Sequence, residues 1–262
     1  MRALFLPDYP EREFYTIIPI FMRLGWFATQ DVNEQFDFAI CWQDSTWVEP
    51  DAWLLQIAHS KPVLNIRCID ISKRRVEEEF VNTFERSSFV NPLTFEGRAV
   101  CKFDENARGG EIVELPVAEA RKDRVYQVLI DASDGDAMVE YRVPFILGEI
   151  PMVYAEYKDQ PIDTIKTRKR SVELRPPEAV FDSDEIKKIV AMCAAMGLDF
   201  GELDILRSTA DGALYVLDVN KTPGGFGIMN RVKWEPVQRQ EAIARLAQSF
   251  ESGIQRMLSE FV

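Results

Sequence analysis

The chain has 262 residues, of which 47% are hydrophobic and 28% are charged, and its formal net charge at pH 7 is −12. This composition supports a sizeable core and excludes fibrous and intrinsically disordered classes of protein. Apolar runs are shorter than the ~18 residues that a membrane-spanning helix needs, and the first residues lack the apolar segment of a signal peptide. We therefore expect a cytoplasmic protein of one large or two small domains, with no membrane partner.

Cysteine and histidine usage limits the kinds of disulfide, metal site and catalytic residue that the chain can have. The 4 cysteines lie tens of residues apart without a Cys-x-x-Cys pair, and the chain has 1 histidine, His59. This spacing argues against a disulfide framework and against a structural zinc site. His59 ends a predicted helix, where a cation interacts favourably with the helix dipole, so a structural role is favoured over a catalytic one. A histidine-rich metal site is excluded.

The first seventy residues alternate short apolar runs with helical patterns, which is typical of a parallel sheet with crossover helices. The pattern predicts strands over residues 3–6, 38–42 and 63–66, and helices over 13–24 and 51–59. No Gly-x-Gly-x-x-Gly motif follows the first strand, so the dinucleotide-binding fingerprint is absent. We predict a small doubly wound α/β lobe over residues 1–70.

The remainder of the chain has the pattern of an α+β arrangement. A charged helix is predicted over residues 72–84, with Ser72 as its N-cap. Strands are predicted over residues 98–103, 111–115, 126–130 and 141–147, and the first two flank a glycine-ended loop, 104–110. A helix over 184–196 ends at Gly197, and a closing helix begins at Pro236 with an apolar stripe that runs to Phe261. That stripe could pack on its own domain or on a second chain, which leaves a homodimer open.

The most informative stretch is a predicted hairpin, with strands over 200–207 and 214–220 and a turn at Asp211-Gly212. Its register decides whether three polar side chains meet. A two-residue turn puts Asp204 on the face opposite Asp218 and Asn220. A three-residue loop, 210–212, with a left-handed glycine instead pairs Asp204 with Asp218 and keeps Asn220 on the same face.

In the second register, two carboxylates and an amide oxygen gather within about 5–8 Å, which is an oxygen-only ligand set of the kind that Mg²⁺ takes beside phosphates. The alternative is a polar strand end that faces solvent. Asp218 interrupts the apolar run 214–219, where an unpaired carboxylate is costly, so the metal interpretation is favoured.

Positive charge is clustered in this acidic chain. Four cations fall within residues 166–170, namely Lys166, Arg168, Lys169 and Arg170, and others lie on or beside predicted strands, namely Lys102, Arg142 and Lys158. Charge runs are usually solvated faces, and the net negative charge would repel nucleic acid, so no nucleic-acid partner is expected. A compact polyphosphate beside Mg²⁺ needs only a few cations. The loop 104–110 offers backbone N–H groups for phosphates, although it is not a P-loop.

In their order along the chain, these residues resemble the ATP-grasp superfamily over about residues 60–230. Lys73 and Lys102 look like its two nucleotide-binding lysines, and Arg142 resembles the inward arginine of the strand that follows. The hinge whose backbone meets the adenine looks like a run of four residues, Gln127, Val128, Leu129 and Ile130. Asp131 is one candidate for the ribose-binding acid, beside Asp134 and Asp136.

The most specific part of the resemblance is the Asp-x-Asn-x-x-Pro segment that begins at Asp218, together with the upstream Asp204. In the superfamily these positions bind metal, so the resemblance implies that Asp204, Asp218 and Asn220 bind Mg²⁺, with Mn²⁺ as a substitute. It also implies a fold, in which residues 1–70 precede an ATP-grasp domain over 71–262. Within that domain a lid, 71–130, and a metal-binding subdomain, 131–262, would sandwich ATP.

The resemblance further implies a reaction. Members typically join a carboxylate to an amine through an acyl-phosphate while ATP is converted to ADP, so the expected partners are small-molecule or peptide carboxylates and amines. Lys102, Arg142 and Arg168 would neutralise the charge that develops on the transferred phosphoryl group. Two alternatives stay open, a small-molecule kinase on the same scaffold and a catalytically silent nucleotide-binding protein.

Two segments are candidates for an acceptor pocket. Residues 42–47 follow a predicted parallel strand, at the end of an α/β sheet where ligands usually bind. Residues 221–229 follow the metal-binding segment and contain a flexible glycine run. For each segment, an ordinary surface loop is the equally weighted alternative.

Overall fold

The computed structural model of the chain describes residues 1–11, 14–160, 167–224 and 236–261. The helices and strands follow one another as β1 (Arg2–Pro7), α1 (Ile17–Leu24), β2 (Phe27–Thr29), β3 (Phe38–Trp42), α2 (Ala52–Ile57), β4 (Val63–Leu64), α3 (Lys73–Phe84), β5 (Gly97–Phe103), β6 (Gly110–Leu115), β7 (Arg124–Val128), β8 (Ser133–Asp134), β9 (Ala137–Ile146), β10 (Val153–Asp159), β11 (Lys169–Arg175), α4 (Ser183–Ala195), β12 (Phe200–Arg207), β13 (Leu214–Asn220) and α5 (Pro236–Glu260).

The N-terminal segment forms a parallel sheet in the order β2-β1-β3-β4, which confirms the predicted α/β character of this part. Strand β2 was not predicted. The predicted helix 13–24 begins only at Ile17, because Tyr15 forms a β-bridge with Gly224 instead; Glu13 lies outside the described residues. The third predicted strand ends at Leu64, because Asn65 takes a left-handed backbone conformation, with φ of 58°.

The larger sheet runs β11-β10-β9-β12-β13, with β8 beside β9, and a separate three-stranded sheet runs β6-β5-β7. Strand β7 begins two residues before its predicted start, and β9 begins four residues before. The sequence analysis missed β10 and β11. Strand β10 was missed because its inward positions include Glu156 and Lys158, so this buried strand lacks an apolar pattern in the sequence. The mixed architecture confirms the predicted α/β (α+β) class.

The larger sheet has one apolar and one charged face. Residues at alternate positions, such as Val143, Leu203 and Ile205, pack with helices α3 and α4 in a buried core. The helix boundaries follow the predicted caps. Ser72 Oγ accepts a hydrogen bond from the N–H of Arg75, and Gly197 is left-handed with φ of 68° at the end of α4. The opposite face of this sheet is the charged one.

The hairpin β12–β13 places Asp204 opposite Asp218 and Glu202 opposite Asn220. This register confirms that Asp204, Asp218 and Asn220 share a face, but neither the two-residue turn nor the three-residue loop of the sequence analysis is present. The N–H of Ser208 donates to the carbonyl of Ala213, so the loop has four residues, 209–212. A β-bulge beside Asp204 then shifts the pairing of the two strands by one residue and so brings Asp204 opposite Asp218.

Helix α5 packs against its own chain. Its apolar stripe joins the core formed by α1 and the N-terminal sheet, and the ring of Phe250 lies 5.8 Å from that of Phe21 and 5.6 Å from that of Phe200, between centroids. Phe261, the last residue of the predicted stripe, lies beyond the helix and is 44% exposed. The core therefore links both ends of the chain. The domain division at residue 70 and a homodimer stay predictions.

No helix in the described parts of the chain is long and apolar enough to cross a membrane. The 4 cysteines are buried and free, as their spacing predicted.

The packing of α5 can be tested with Phe250→Ala, which removes a fully buried ring that contacts other aromatic rings of this core. We expect the free energy of unfolding to fall by about 3–5 kcal/mol, the usual cost of such a cavity, in urea titrations followed by circular dichroism. The matched control is Phe261→Ala, at an exposed position, which should change stability by less than about 0.5 kcal/mol. Equal losses in the two variants would contradict this packing.

Candidate functional site

The charged face of the larger sheet brings together polar side chains from four strands. Strand pairing sets Asp204 directly opposite both Asp218 on β13 and Arg142 on β9. Strand β10 adds Glu156 and Lys158, which lie beside Glu140 and Arg142. Because side chains alternate along a strand, these groups point away from the apolar core and towards the three-stranded sheet.

A cavity of about 230 Å³ lies between this face and the three-stranded sheet. We refer to it as the first cavity. Its inner part is mostly apolar and includes Val100, Met138, Leu206 and Leu217, together with the four residues of the predicted adenine hinge, Gln127, Val128, Leu129 and Ile130. Its other end is charged and is formed by Lys102, Glu140, Arg142, Lys158, Asp204 and Asp218. The shape therefore suits a flat apolar group attached to a charged one.

A second cavity, of about 360 Å³, shares Lys102, Arg142, Asp204 and Asp218 with the first. Its remaining walls come from six places in the chain, namely Phe14; Asp44; Lys73; Asn106 with Ala107 and Gly109; Glu202; and Asn220 with Thr222, Pro223 and Gly224. Both candidate acceptor segments therefore reach this cavity, through Asp44 and through residues 222–224. Residues 225–229 of the second segment lie outside the described residues.

Two of the predicted site residues lie outside both cavities. The side chain of Arg168 is 80% exposed, and its Nε donates to Asp159 at 3.2 Å. Asp131 is exposed as well, and hydrogen bonds from the side chain of Ser133 and from its N–H, the latter at 2.9 Å, lower the pKa of the Asp131 carboxyl group. Lys166, in the same basic cluster as Arg168, lies outside the described residues.

Three side chains that line the cavities were not assigned by the sequence analysis, namely Glu140, Lys158 and Glu202. A signal existed for two of them. Glu140 and Glu202 each stand two residues before a predicted site residue, Arg142 and Asp204, and so share its face of the strand. Lys158 was named only as a cation on or beside a predicted strand and was given no role, because the strand that carries it was not predicted.

Lys73 is buried at the start of α3, where the Ser72 cap fixes the first turn. Its Nζ contacts the carboxylate of Asp218 and donates to Oδ1 of Asn106 at 2.9 Å. The amide of Asn106 in turn donates to Oδ1 of Asn220 at 3.0 Å. The loop 104–110 is therefore held against two of the predicted metal ligands.

Arg142 lies among four carboxylates at the junction of the two cavities. Its guanidinium is 2.7 Å from Glu202, 3.4 Å from Asp204, 3.6 Å from Glu156 and 3.8 Å from Glu140. Burial alone would lower the pKa of Arg142, but these carboxylates outweigh it and hold the pKa well above its usual value. The site therefore contains a cation that stays charged and is held in place from several sides.

The carboxylate of Asp204 is only partly satisfied. Burial raises its pKa, Arg142 opposes this rise, and the neighbouring Glu140, Asp218 and Glu202 add to it, so that the pKa is about 7. Within the described parts of the chain, its buried Oδ1 has no hydrogen-bond partner. A cation bound next to this oxygen would offset the free energy that its burial costs.

Lys102 is a buried cation at the same junction of the two cavities as the carboxylate of Asp204. Burial lowers its pKa, and Asp218 is the largest influence that opposes this. Among the described residues, no carboxylate lies within 4.0 Å of its Nζ. An anion at this position would restore the stabilisation that the ammonium group loses by leaving water.

The donor set of Asp204, Asp218 and Asn220 consists of oxygens only, which fits Mg²⁺ or Mn²⁺. The unpartnered oxygen of Asp204 supports that fit. In the described residues, no group of three or more His, Cys, Asp or Glu side chains is already arranged to hold a metal ion. Only Asp204 and Asp218 of the proposed ligands are of these types. Lys73 contacts Asp218 and Asn106 binds Asn220, so an ion would replace both of these contacts.

No protein-family model matches the chain, and no curated protein sequence matches it significantly. Solved structures do match along nearly the whole length. The D-alanine–D-alanine ligase of Bacillus anthracis is 14% identical, with 99% of each chain covered and a TM-score of 0.57. The ATP-grasp ligase PsnB, in complex with Mg, ADP and a phosphomimetic variant of its minimal precursor, is 15% identical, with 97% of this chain and 98% of that chain covered and a TM-score of 0.58.

A RimK domain ATP-grasp protein from Sphaerobacter thermophilus is 11% identical, with 97% of this chain and 100% of that chain covered and a TM-score of 0.53. Identities this low carry information about the fold and leave the reaction undetermined. The neighbours agree with the sheet arrangement and with the resemblance found in the sequence. The chain has the ATP-grasp fold.

Proposed function

We propose that the chain is an ATP- and Mg²⁺-dependent ligase that joins a carboxylate to an amine through an acyl-phosphate. One observation carries this proposal, namely that the two cavities share a wall formed by Lys102, Arg142, Asp204 and Asp218. A nucleotide with its base in the first cavity would present its phosphates at the entrance to the second. The second cavity is then the place where a phosphoryl acceptor meets the nucleotide.

The first cavity would bind ATP through two kinds of contact. Its apolar inner part and the backbone of residues 127–130 would enclose the adenine. Lys102 would contact the phosphates, because an anion offsets the cost of its burial. Lys73, which contacts Asp218 in the absence of a nucleotide, would be the second lysine at the phosphates.

Asp204, Asp218 and Asn220 would hold Mg²⁺, with Mn²⁺ as a substitute. The ion, when bound, supplies positive charge that offsets the negative charge of the phosphates. Arg142 faces the same region from the neighbouring strand, and Glu202 holds its guanidinium at 2.7 Å. It would therefore stabilise charge that develops on the transferred phosphoryl group. Since Arg168 lies outside both cavities, we propose Lys158 as the third cation of this set.

The proposed reaction has two steps. A substrate carboxylate oxygen attacks the γ-phosphorus of ATP, the bond to the bridging oxygen breaks, and ADP leaves. The amine nitrogen then attacks the acyl carbon, phosphate leaves with the electrons of the C–O bond, and the amine gives up a proton. The ligases among the neighbours support this reaction class, and the complex of PsnB with a precursor peptide keeps peptides among the candidate substrates.

Trapping with hydroxylamine tests this function. We would incubate the protein with Mg·ATP, a pool of carboxylic acids and hydroxylamine, and measure ADP and hydroxamates. An activated acyl group reacts with hydroxylamine, so the ligase is expected to form hydroxamate in proportion to ADP. A stable phosphorylated product in place of hydroxamate would identify a kinase. Nucleotide binding without any turnover would identify a catalytically silent protein.

The metal ligands can be tested with Asn220→Ala. We expect Mg·ATP to bind at least about tenfold more weakly, because one oxygen donor is lost, while the midpoint of thermal unfolding stays nearly unchanged. Calorimetric titration and thermal denaturation give the two quantities. The matched control is Asn82→Ala, at an exposed position on α3, which should leave both unchanged. A loss of thermal stability with unaltered nucleotide binding would show that Asn220 is structural.

A second variant, Asp218→Asn, is expected to behave differently. It removes a metal ligand and also leaves the buried ammonium of Lys73 without its carboxylate. We therefore expect weaker Mg·ATP binding together with a loss of stability of about 3 kcal/mol, measured by urea unfolding without ligand. Unchanged stability would contradict the contact between Lys73 and Asp218.

The raised pKa of Asp204 predicts that the stability of the protein depends on pH when no ligand is added. Its pKa is raised from 3.8 to about 7 on folding, so the folded state holds a proton that the unfolded state releases between these values. The contribution of Asp204 to stability therefore falls as pH rises from about 4 to about 7, and it levels off outside this window. We expect Asp204→Asn to lose less stability than wild type between pH 5 and pH 8 in urea unfolding. Equal losses in both proteins would show that Asp204 is ionised throughout.

A further inference from the structure

Asp44 is a charged residue that the proposed reaction does not use. It follows strand β3, at the end of a parallel strand where α/β sheets usually bind ligands. It lines the second cavity together with Asp218, Asn220 and Thr222, and it does not line the first. A molecule that fills the second cavity would therefore meet both the reacting end of the site and Asp44.

The carboxylate of Asp44 is held in place by neutral groups. Its Oδ1 accepts a hydrogen bond from the hydroxyl of Thr222 at 3.0 Å, and its Oδ2 accepts one from the hydroxyl of Tyr15 at 3.3 Å. Among the described residues, no lysine or arginine nitrogen lies within 4.0 Å of it. These hydroxyl contacts fix the orientation of the carboxylate, and the buried ammonium of Lys221 interacts with its charge from beyond 4.0 Å.

Apart from Lys102, the other charged side chains that line the second cavity already form ion pairs. Lys73 contacts Asp218, and Arg142 contacts both Glu202 and Asp204. Among the charged residues that line this cavity, Lys102 and Asp44 are then left without an ion pair in the described chain. Lys102 also borders the first cavity, where phosphates are expected, so the second cavity has a cation without an ion pair at the shared wall and an anion without one at Asp44.

The wall around Asp44 is built from closely packed apolar groups. The N–H of Thr16 donates to the carbonyl of Pro223 at 3.0 Å, and Tyr15 forms a β-bridge with Gly224. The ring of Phe14 lies so close to Gly224 that a Cβ there would come within 2.1 Å of it. Phe14, Pro223 and Gly224 all line the cavity, so an aliphatic chain would find apolar contacts beside the carboxylate.

We propose that Asp44 forms a subsite for a primary ammonium group of the amine substrate. The proposal rests on the proposed function, because the amine must occupy the second cavity in order to reach the activated carboxylate. An ammonium group would pair with Asp44 while its aliphatic stem packs on the apolar wall. A substrate carboxylate would be repelled from this end and directed towards the cationic one. The ammonium group would be either the nitrogen that becomes acylated or a second amino group of the same molecule.

The subsite is tested by titrating three probes, 1,4-diaminobutane, butylamine and succinate, into the protein saturated with Mg·ADP and into the nucleotide-free protein. The variant Asp44→Asn removes the charge and keeps a carbonyl oxygen that accepts from one of the two hydroxyls, while its NH2 group can donate to the oxygen of the other. The matched control is Glu49→Gln, which removes one charge from an exposed position outside both cavities. Equal Mg·ADP binding by all three proteins would show that the variants are folded.

We expect an amine probe to bind wild type and Glu49→Gln equally and to bind Asp44→Asn about tenfold or more weakly, because a charged hydrogen bond is lost. Binding of butylamine and 1,4-diaminobutane with similar affinity would identify Asp44 as the partner of the nitrogen that reacts. Tighter binding of 1,4-diaminobutane alone, lost in Asp44→Asn, would identify a second amino group as its partner. Succinate should not bind more tightly than the amines.

Two results would overturn the subsite, namely amine binding that is unchanged in Asp44→Asn and succinate binding that improves in this variant. Mg·ADP binding shows separately whether the proposed function fails. If wild type binds no Mg·ADP, the ligase proposal fails, whereas the amine titrations of the nucleotide-free protein still report on Asp44. If Mg·ADP binds and no amine probe distinguishes wild type from Asp44→Asn, the subsite proposal alone fails.

Discussion

The pairing of strand β12 with both of its neighbours is the constraint on which the site depends. Because Asp204 stands opposite Arg142 on one side and Asp218 on the other, three charged groups from distant parts of the chain meet on one face. A shift of one residue would turn Asp204 into the apolar core against α3 and α4. The β-bulge beside Asp204 is therefore a functional feature of the hairpin, since it sets this register.

Charge matching is the second principle of the structure. The charged face concentrates acids that would be costly to bury alone, and most of the ion pairs described at the centre of the site join groups from different strands or helices. Without a ligand, Lys73 and Asn106 contact the oxygens that we propose for the metal. Ligand binding is therefore expected to exchange contacts within the site, while the sheet that carries them stays in place.

Several features of the site were visible in the sequence because they depend on local patterns. The polar positions at 202, 204, 218 and 220 interrupt strongly apolar strands, and a buried carboxylate needs a partner. The sequence did not show which residues pair with these polar side chains. Lys158 belongs to a strand that was not predicted, since its charges mask its burial, and Arg168 has cationic chemistry but lies outside both cavities. Charge in a sequence indicates a requirement for pairing and does not indicate where the pair lies.

By itself, the sequence determined the α/β (α+β) class, the cap of α3 at Ser72 and the left-handed turn at Gly197, because each depends on periodicity or on the chemistry of a few adjacent residues. It left two registers of the hairpin β12–β13 open. Only the tertiary structure decided three other features, namely the packing of α5 on the N-terminal sheet, the junction of the two cavities and the position of Asp44 beside residues 222–224. These contacts join segments far apart in the chain. Their free energy comes from burial and charge pairing that exist only after the chain has folded.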